Sequence, residues 1–201
     1  MRAILAERDL AFLHAPARSI GGPAVRNMGT VGGNLFAPSP YGDFTVALLA
    51  LDAMVFVQGG LGSRDVPIEE FLQSRERQAG TLVLSISCQK PASAEAFRYR
   101  KIARIKPKGG SVITLAAHLA NEQRPRSSAP ALRSARWRRR KFAPAPPSAR
   151  WRDARSIAST IDAAAAAAVE GTSPGDNALA SAWYRREIVG VHLRRLLSGQ
   201  E

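Results

Sequence analysis

Between Val25 and Leu35 the chain runs Val-Arg-Asn-Met-Gly-Thr-Val-Gly-Gly-Asn-Leu, a strand-like lead into a Gly-Gly turn flanked by side chains that form hydrogen bonds. Residues of these types suit the holding of an anion. Gly29, Gly32 and Gly33 permit positive φ and let backbone N–H groups converge on a ligand that a Cβ would fend off. Thr30 and Asn34 add polar groups at the same mouth, so Thr30, Val31, Gly32, Gly33 and Asn34 are the first candidate binding residues. A plain tight turn is the alternative for such a run. Elsewhere no general base or nucleophile stands out. His14, His118 and His192 are scattered without ligand-like spacing, which argues against a metal site. Cys88 is the only cysteine. One thiol makes no disulfide within the chain and no iron–sulfur cluster, which takes four cysteinates, so Cys88 reads as a buried strand thiol.

The turn is followed by Pro38-Ser39-Pro40-Tyr41-Gly42-Asp43 and then by a compact apolar helix from Phe44 to Ala53. Arg-Asn-x-Gly-Thr-x-Gly-Gly-Asn, the Pro-x-x-Asp ending at Asp43 and the Ala-Leu-Leu-Ala-Leu-Asp-Ala after it resemble the FAD-binding medium subunit of the molybdenum hydroxylases. That family covers xanthine dehydrogenase and aerobic carbon monoxide dehydrogenase. The resemblance implies that the Thr-x-Gly-Gly-Asn turn holds the pyrophosphate region of FAD and that Asp43 contacts the cofactor.

It continues through the strand-like Met54-Val55-Phe56-Val57 into Arg64-Asp65-Val66-Pro67-Ile68-Glu69-Glu70-Phe71, which is similar to the family's Arg-x-(Val/Ile)-Pro-x-x-x-Phe segment. Leu82-Val83-Leu84-Ser85-Ile86 resembles a strand whose leucine, here Leu84, lies beside the flavin; by its residue types alone such a leucine is plain core. Tyr99-Arg100-Lys101 with Arg104 resembles the family's Tyr-x-Lys-x-x-Arg, which implies Lys101 near the cofactor. An exposed lysine on a solvated strand is the alternative. The family binds FAD between two glycine-rich turns, and no Ala-Gly-Gly-x-x-Asp-Leu turn precedes Val25. The expectation is therefore an N-terminally truncated chain with half a cofactor site. Each charge-assisted bond lost from the pyrophosphate cradle is worth about 1.5–3 kcal/mol, so FAD affinity should fall by orders of magnitude.

The net charge of +13 invites a nucleic-acid reading. Its location weakens that reading. From Arg124 to Arg155 stand eleven basic residues against the single acid Asp153, so ten of the thirteen excess charges fall in one Arg/Ala/Pro/Ser-rich segment. Arg136-Trp137-Arg138-Arg139-Arg140-Lys141, with Trp151 downstream, would suit phosphate contacts and base stacking. The same vocabulary is what a GC-rich gene yields out of frame. Read one base upstream with GC-rich codons, Leu132 to Lys141 can spell Ile-Ala-Leu-Gly-Ala-Met-Ala-Pro-Thr-Lys, which resembles a strand of the family's C-terminal domain. The reading adopted is a compensated pair of frameshifts, or a sequencing artefact, over about 124–155, which makes the basic patch accidental and nucleic acid an unfavoured partner.

Both flanks of that segment fit the family: Ser111 to Leu119 as a strand, and Ile161 to Ala168 as a helical alanine run ending in Val169-Glu170-Gly171. Further on, Asp176 is a candidate N-cap for a helix over about Asn177–Leu197. Tyr184, Ile188 and Val191, with Val189, Leu193 and Leu196, form its apolar stripe. Arg185, Arg186, Arg194 and Arg195 are expected on a solvated or subunit-facing edge. The expected fold is α+β: a partial FAD-binding lobe over 1–91, then a small sheet-plus-helices domain over 92–201. No long apolar run or leader peptide is evident, which places the chain in the cytoplasm with no membrane span. By implication of the family, an iron–sulfur small subunit and a molybdenum-cofactor large subunit are its partners, and FAD passes electrons from them to an acceptor. A remnant or docking subunit without flavin is the competing reading.

Overall fold

The computed structural model describes residues 1–38, 42–60, 62–74, 80–105, 109–119, 154–170 and 174–200. The Arg/Trp-rich stretch from 124 to 153 lies outside the described residues, as do Pro40 and Tyr41.

Short helices open the chain: α1 (Arg2–Ala6), a 3-10 turn over Arg8–Leu13, α2 (His14–Arg18), α3 (Pro23–Met28) and α4 (Val31–Leu35). The strand-like lead expected at Val25–Met28 is thus a helix. Pro23 at its first turn presets φ, and the extended Gly29 ends it. α5 (Asp43–Ala50) has every residue buried. A helix apolar all round belongs inside a core, and this one packs against α2, α4, α6 and β5. It stops at Ala50 rather than Ala53 because Asp52 turns left-handed, with φ 46°.

Next come β1 (Met54–Gly59), β2 (Gly62–Pro67), α6 (Ile68–Ser74) and β3 (Leu82–Ser87). The three strands form an antiparallel sheet in the order β2-β1-β3. β1 alternates, with Val55 and Val57 buried and their neighbours partly open, the mark of a sheet covered on one face. On β3 the register skips Leu84, since Val57 pairs with Val83 and Phe56 with Ser85. Leu84 is the extra residue of a β-bulge. Cys88, just past β3, is partly buried and packs on the first core, and that burial pushes its thiol pKa up.

β4 (Phe97–Ala103) and β5 (Ser111–His118) form an antiparallel hairpin between two cores. Period 2 divides its side chains. Phe97, Tyr99 and Lys101 of β4, with Thr114 and Ala116 of β5, point to the first core and α5. Ile102 joins Ile113, Leu115 and Ala117 in the second core. Arg98 and Arg100 lie on that same side; Arg98 donates to Leu196 O near the end of α8 (Ala182–Ser198), and Arg100 to Gln200 O just beyond it. α7 (Ala154–Glu170) packs beside α8 and supplies Ala168 to the second core.

α8 starts later than the sequence reading expects. Ser181 is its N-cap, accepting from Tyr184 N at 3.2 Å, while Asp176 accepts from Ala182 N at 2.6 Å from outside the helix. Asn177 instead holds a turn, its Oδ1 accepting from Leu179 N and Ala180 N. The buried face is Arg185, Val189, Leu193 and Leu196, whereas Tyr184 and Val191 are close to half exposed. Arg185 corrects the expected solvated edge. It is fully buried and donates to Val112 O at 3.1 Å, to Asn177 Oδ1 at 2.6 Å and to Gly175 O.

Candidate functional site

A cleft of about 630 Å³ opens between α3, α4, the start of α5 and β4. Thr30, Gly33, Asn34, Asp43 and Lys101 all line it. Of the other expected residues, Val31, Gly32 and Leu84 are not among its lining.

Local chemistry explains how each residue arrives there. Thr30 is the N-cap of α4, its Oγ1 accepting from Gly33 N at 2.9 Å. A hydroxyl that accepts still has a proton to donate. Val31 and Gly32 supply the first two N–H groups of α4, which by position have no acceptor within the helix. Gly32 and Gly33 therefore belong to a capped helical turn rather than an open loop, and neither they nor Gly29 has positive φ. Their small size serves close approach instead. A Cβ on Gly32 would sit 3.3 Å from Val83 Cβ, and one on Gly33 would sit 2.9 Å from Thr30 Oγ1.

Asn34 ties this turn to the next helix. Gly42, the N-cap of α5, offers no side-chain cap, and Asn34 Oδ1 takes the role by accepting from Thr45 N at 3.2 Å. Thr45 Oγ1 donates back to Asn34 O at 3.2 Å. Arg26 donates to Ile20 O at 3.0 Å and to Gly21 O at 2.6 Å, fixing the left-handed turn at Gly21, which lines the cleft.

Asp43, the first residue of α5, is 4% exposed; a carboxylate there is favoured by the helix dipole. Its Oδ2 lies 2.6 Å from Lys101 Nζ, and its Oδ1 accepts from Thr114 Oγ1 at 2.7 Å. Lys101, its side chain 10% exposed, is therefore a largely buried ion-pair partner, not the exposed lysine of the alternative reading. It also donates to Ser19 O at 2.9 Å, which leaves one of its three protons uncommitted among the described residues. Ser19 Oγ donates to Pro16 O at 2.7 Å, so in its 2.8 Å contact with Tyr99 the tyrosine hydroxyl is the donor. Burial and the nearby Asp43 charge push the Tyr99 pKa up, which keeps that proton in place.

Leu84 stands apart on the bulge of β3, about half exposed, and is not core. The cleft thus offers a ligand the Thr30 hydroxyl on a wall lined by Gly21, Gly29 and Gly33, with a neutralised ion pair beside it and the leading N–H groups of α4 next along the chain. That set fits a dinucleotide, whose pyrophosphate takes N–H and O–H donors and whose hydroxyls can pair with both Asp43 and Lys101. Sequence reasoning passed over Ser19, Tyr99 and Thr114 as members of this network. Thr114 carried a signal, being a hydroxyl at a central position of a strand, with apolar residues on both sides of it.

Residues 1–88 match the family described as FAD binding domain in molybdopterin dehydrogenase. The nicotinate dehydrogenase FAD-subunit of Eubacterium barkeri is 30% identical over 107 residues, which is 50% of this chain and 36% of that protein. The 6-hydroxypseudooxynicotine dehydrogenase complex subunit alpha of Paenarthrobacter nicotinovorans is 27% identical over 195 residues, 95% of this chain and 65% of that protein. This chain therefore spans about a third to two thirds of the length of these relatives. In fold it matches a chain of the carbon monoxide dehydrogenase of Hydrogenophaga pseudoflava, with a TM-score of 0.73 at 21% identity over 96% of this chain and 68% of that one. Among the described residues, no helix is long and apolar enough to cross a membrane.

Proposed function

We propose that this chain, whose residues 1–88 belong to the family of FAD-binding domains in molybdopterin dehydrogenases, is the FAD-binding subunit of an oxidoreductase of the molybdenum hydroxylase type and holds the dinucleotide in its cleft. The observation that carries the reading is the convergence of Thr30, Gly33, Asn34, Asp43 and Lys101 on one cleft. In this reading the pyrophosphate lies at the Thr30 end of the cleft, held by the Thr30 hydroxyl, and extends past the cleft lining to the leading N–H groups of α4, at Val31 and Gly32. Gly33 keeps the wall free of side chains, and Asn34 holds α4 and α5 in register. Asp43 and Lys101 face the polar part of the ligand, and Leu84 offers an apolar surface to the flavin end. FAD, when bound, supplies the exchange of electrons arriving from an iron–sulfur small subunit and a molybdenum-cofactor large subunit with an external acceptor. This chain contributes binding and orientation. The assembly is of the xanthine dehydrogenase or carbon monoxide dehydrogenase kind and works in the cytoplasm.

The test is a titration of the purified chain with FAD, following quenching of free flavin fluorescence. Saturable quenching is the expected result, and its midpoint measures how much these residues contribute by themselves. A folded chain that binds no FAD up to millimolar concentrations refutes the proposal.

A further inference from the structure

We infer that Thr114 is a positioning residue for the cleft, acting through Asp43 on Lys101; the inference rests on the FAD reading above. Thr114 sits at the centre of β5, between Ile113 and Leu115, which face the second core. Nothing in apolar packing calls for a hydroxyl there. A valine would fill the same space, and a buried hydroxyl is favourable only when it is hydrogen-bonded. Its single partner among the described residues is Asp43 Oδ1 at 2.7 Å.

That contact has a geometric consequence. A carboxylate held by one cation can pivot about the Cβ–Cγ bond. Held at both oxygens, by Thr114 from β5 and by Lys101 from β4, it has one orientation. Lys101 is fixed in turn by Ser19 O. Four separate pieces of chain, the Ser19 turn, α5, β4 and β5, thus set the direction of the remaining Lys101 proton at the cleft wall. Without the Thr114 hydroxyl the ion pair persists, since Lys101 and Asp43 stay in contact, but the pair loses the anchor on its far side. The ligand then has to order it on binding. Thr114 itself does not line the cleft, so its effect on the ligand is indirect.

The experiment compares wild type, Thr114→Val, Thr114→Ser and Thr114→Cys by FAD titration, with far-UV circular dichroism and melting of each ligand-free protein. The bond itself is made with or without ligand, so what binding feels is the ordering of the loosened side chains, which weakens affinity by up to about tenfold. The expectation is a rise in FAD Kd of about tenfold for the valine variant and recovery to within about threefold for serine, which keeps the donor. The cysteine variant, with a weak donor of similar size, falls between them and serves in place of valine if that variant does not fold. Valine or cysteine variants that fold and bind FAD as wild type does overturn the inference. So does equal loss in the serine and valine variants, which would make shape rather than the hydroxyl the cause. Failure of wild type to bind FAD is a separate outcome that overturns the functional reading and this inference with it.

Discussion

Replacing Lys101 by methionine removes the cation but not its volume, and leaves the Asp43 carboxylate 4% exposed beside an apolar chain. Breaking a buried pair from one side costs about 3–5 kcal/mol, because the remaining charge stays desolvated. Two features of the structure soften that. Thr114 still donates to Oδ1, and the start of α5 still favours negative charge at Asp43. A loss near the lower end, about 3 kcal/mol, is therefore expected, or about 6–12 °C in melting temperature for a chain of this size. The companion variant Asp43→Asn/Lys101→Met carries no buried charge, and its amide oxygen still accepts from Thr114. Replacing a buried pair by neutral groups is often close to neutral, so the double variant should recover most of the stability lost in the single one. Chemical and thermal unfolding of wild type, both single variants and the double variant form the cycle that measures the coupling. A Lys101→Met loss below about 1 kcal/mol would show that water reaches the pair. A double variant no more stable than Lys101→Met would show that the cost was never the orphaned carboxylate.

Two further outcomes test the second core. Arg185→Met should destabilise by about 2–3 kcal/mol, since it strands the buried Val112 carbonyl and releases the Gly175 and Asn177 turn; a change within about 0.5 kcal/mol would mean that the turn is held by other contacts. His192 Nδ1 is buried without a hydrogen-bond partner among the described residues, and burial, then the Arg100 and Arg195 charges, lower its pKa. The unfolded chain then takes up that proton at higher pH than the folded one, so His192 costs stability as pH falls below the ordinary histidine value near 6.5. Melting temperature followed from pH 7.5 to 5 should fall less steeply for His192→Gln than for wild type, and equal slopes would refute the assignment.

Which parts of this molecule could be read from the chain depends on whether the cause is local. The run from Phe44 to Ala50 is apolar at every position, and an element buried on all sides announces itself in that way. The Val55 and Val57 alternation does the same for β1. Gly32 and Gly33 misled, because glycine disfavours helix by intrinsic preference. What makes them helical is the Thr30 cap and the fit of α4 on Val83, and only the first of these is local. Arg185 was misplaced for a different reason: with Val189, Leu193 and Leu196 it falls on one face by simple helical spacing, yet its charge suggested solvent. Lys101 and Asp43 are far apart in sequence, and nothing near either one announces the partner.

The same distinction bears on the site. Thr30 Oγ1 caps α4, Asn34 Oδ1 caps α5, and Asp43 accepts from two partners, so most of the motif's hydrogen-bonding capacity is spent inside the protein. What remains for a ligand is the Thr30 proton, the leading N–H groups of α4, one Lys101 proton and the second lone pairs of the Asp43 oxygens, all held in fixed directions by bonds already made. Preorganised donors bind more tightly than mobile ones because less ordering is left to do. It follows that substituting a residue such as Asn34 will lower FAD affinity even where no atom of it touches the ligand. Only affinity measured together with the stability of the ligand-free chain separates a residue that touches the cofactor from one that holds its neighbour still.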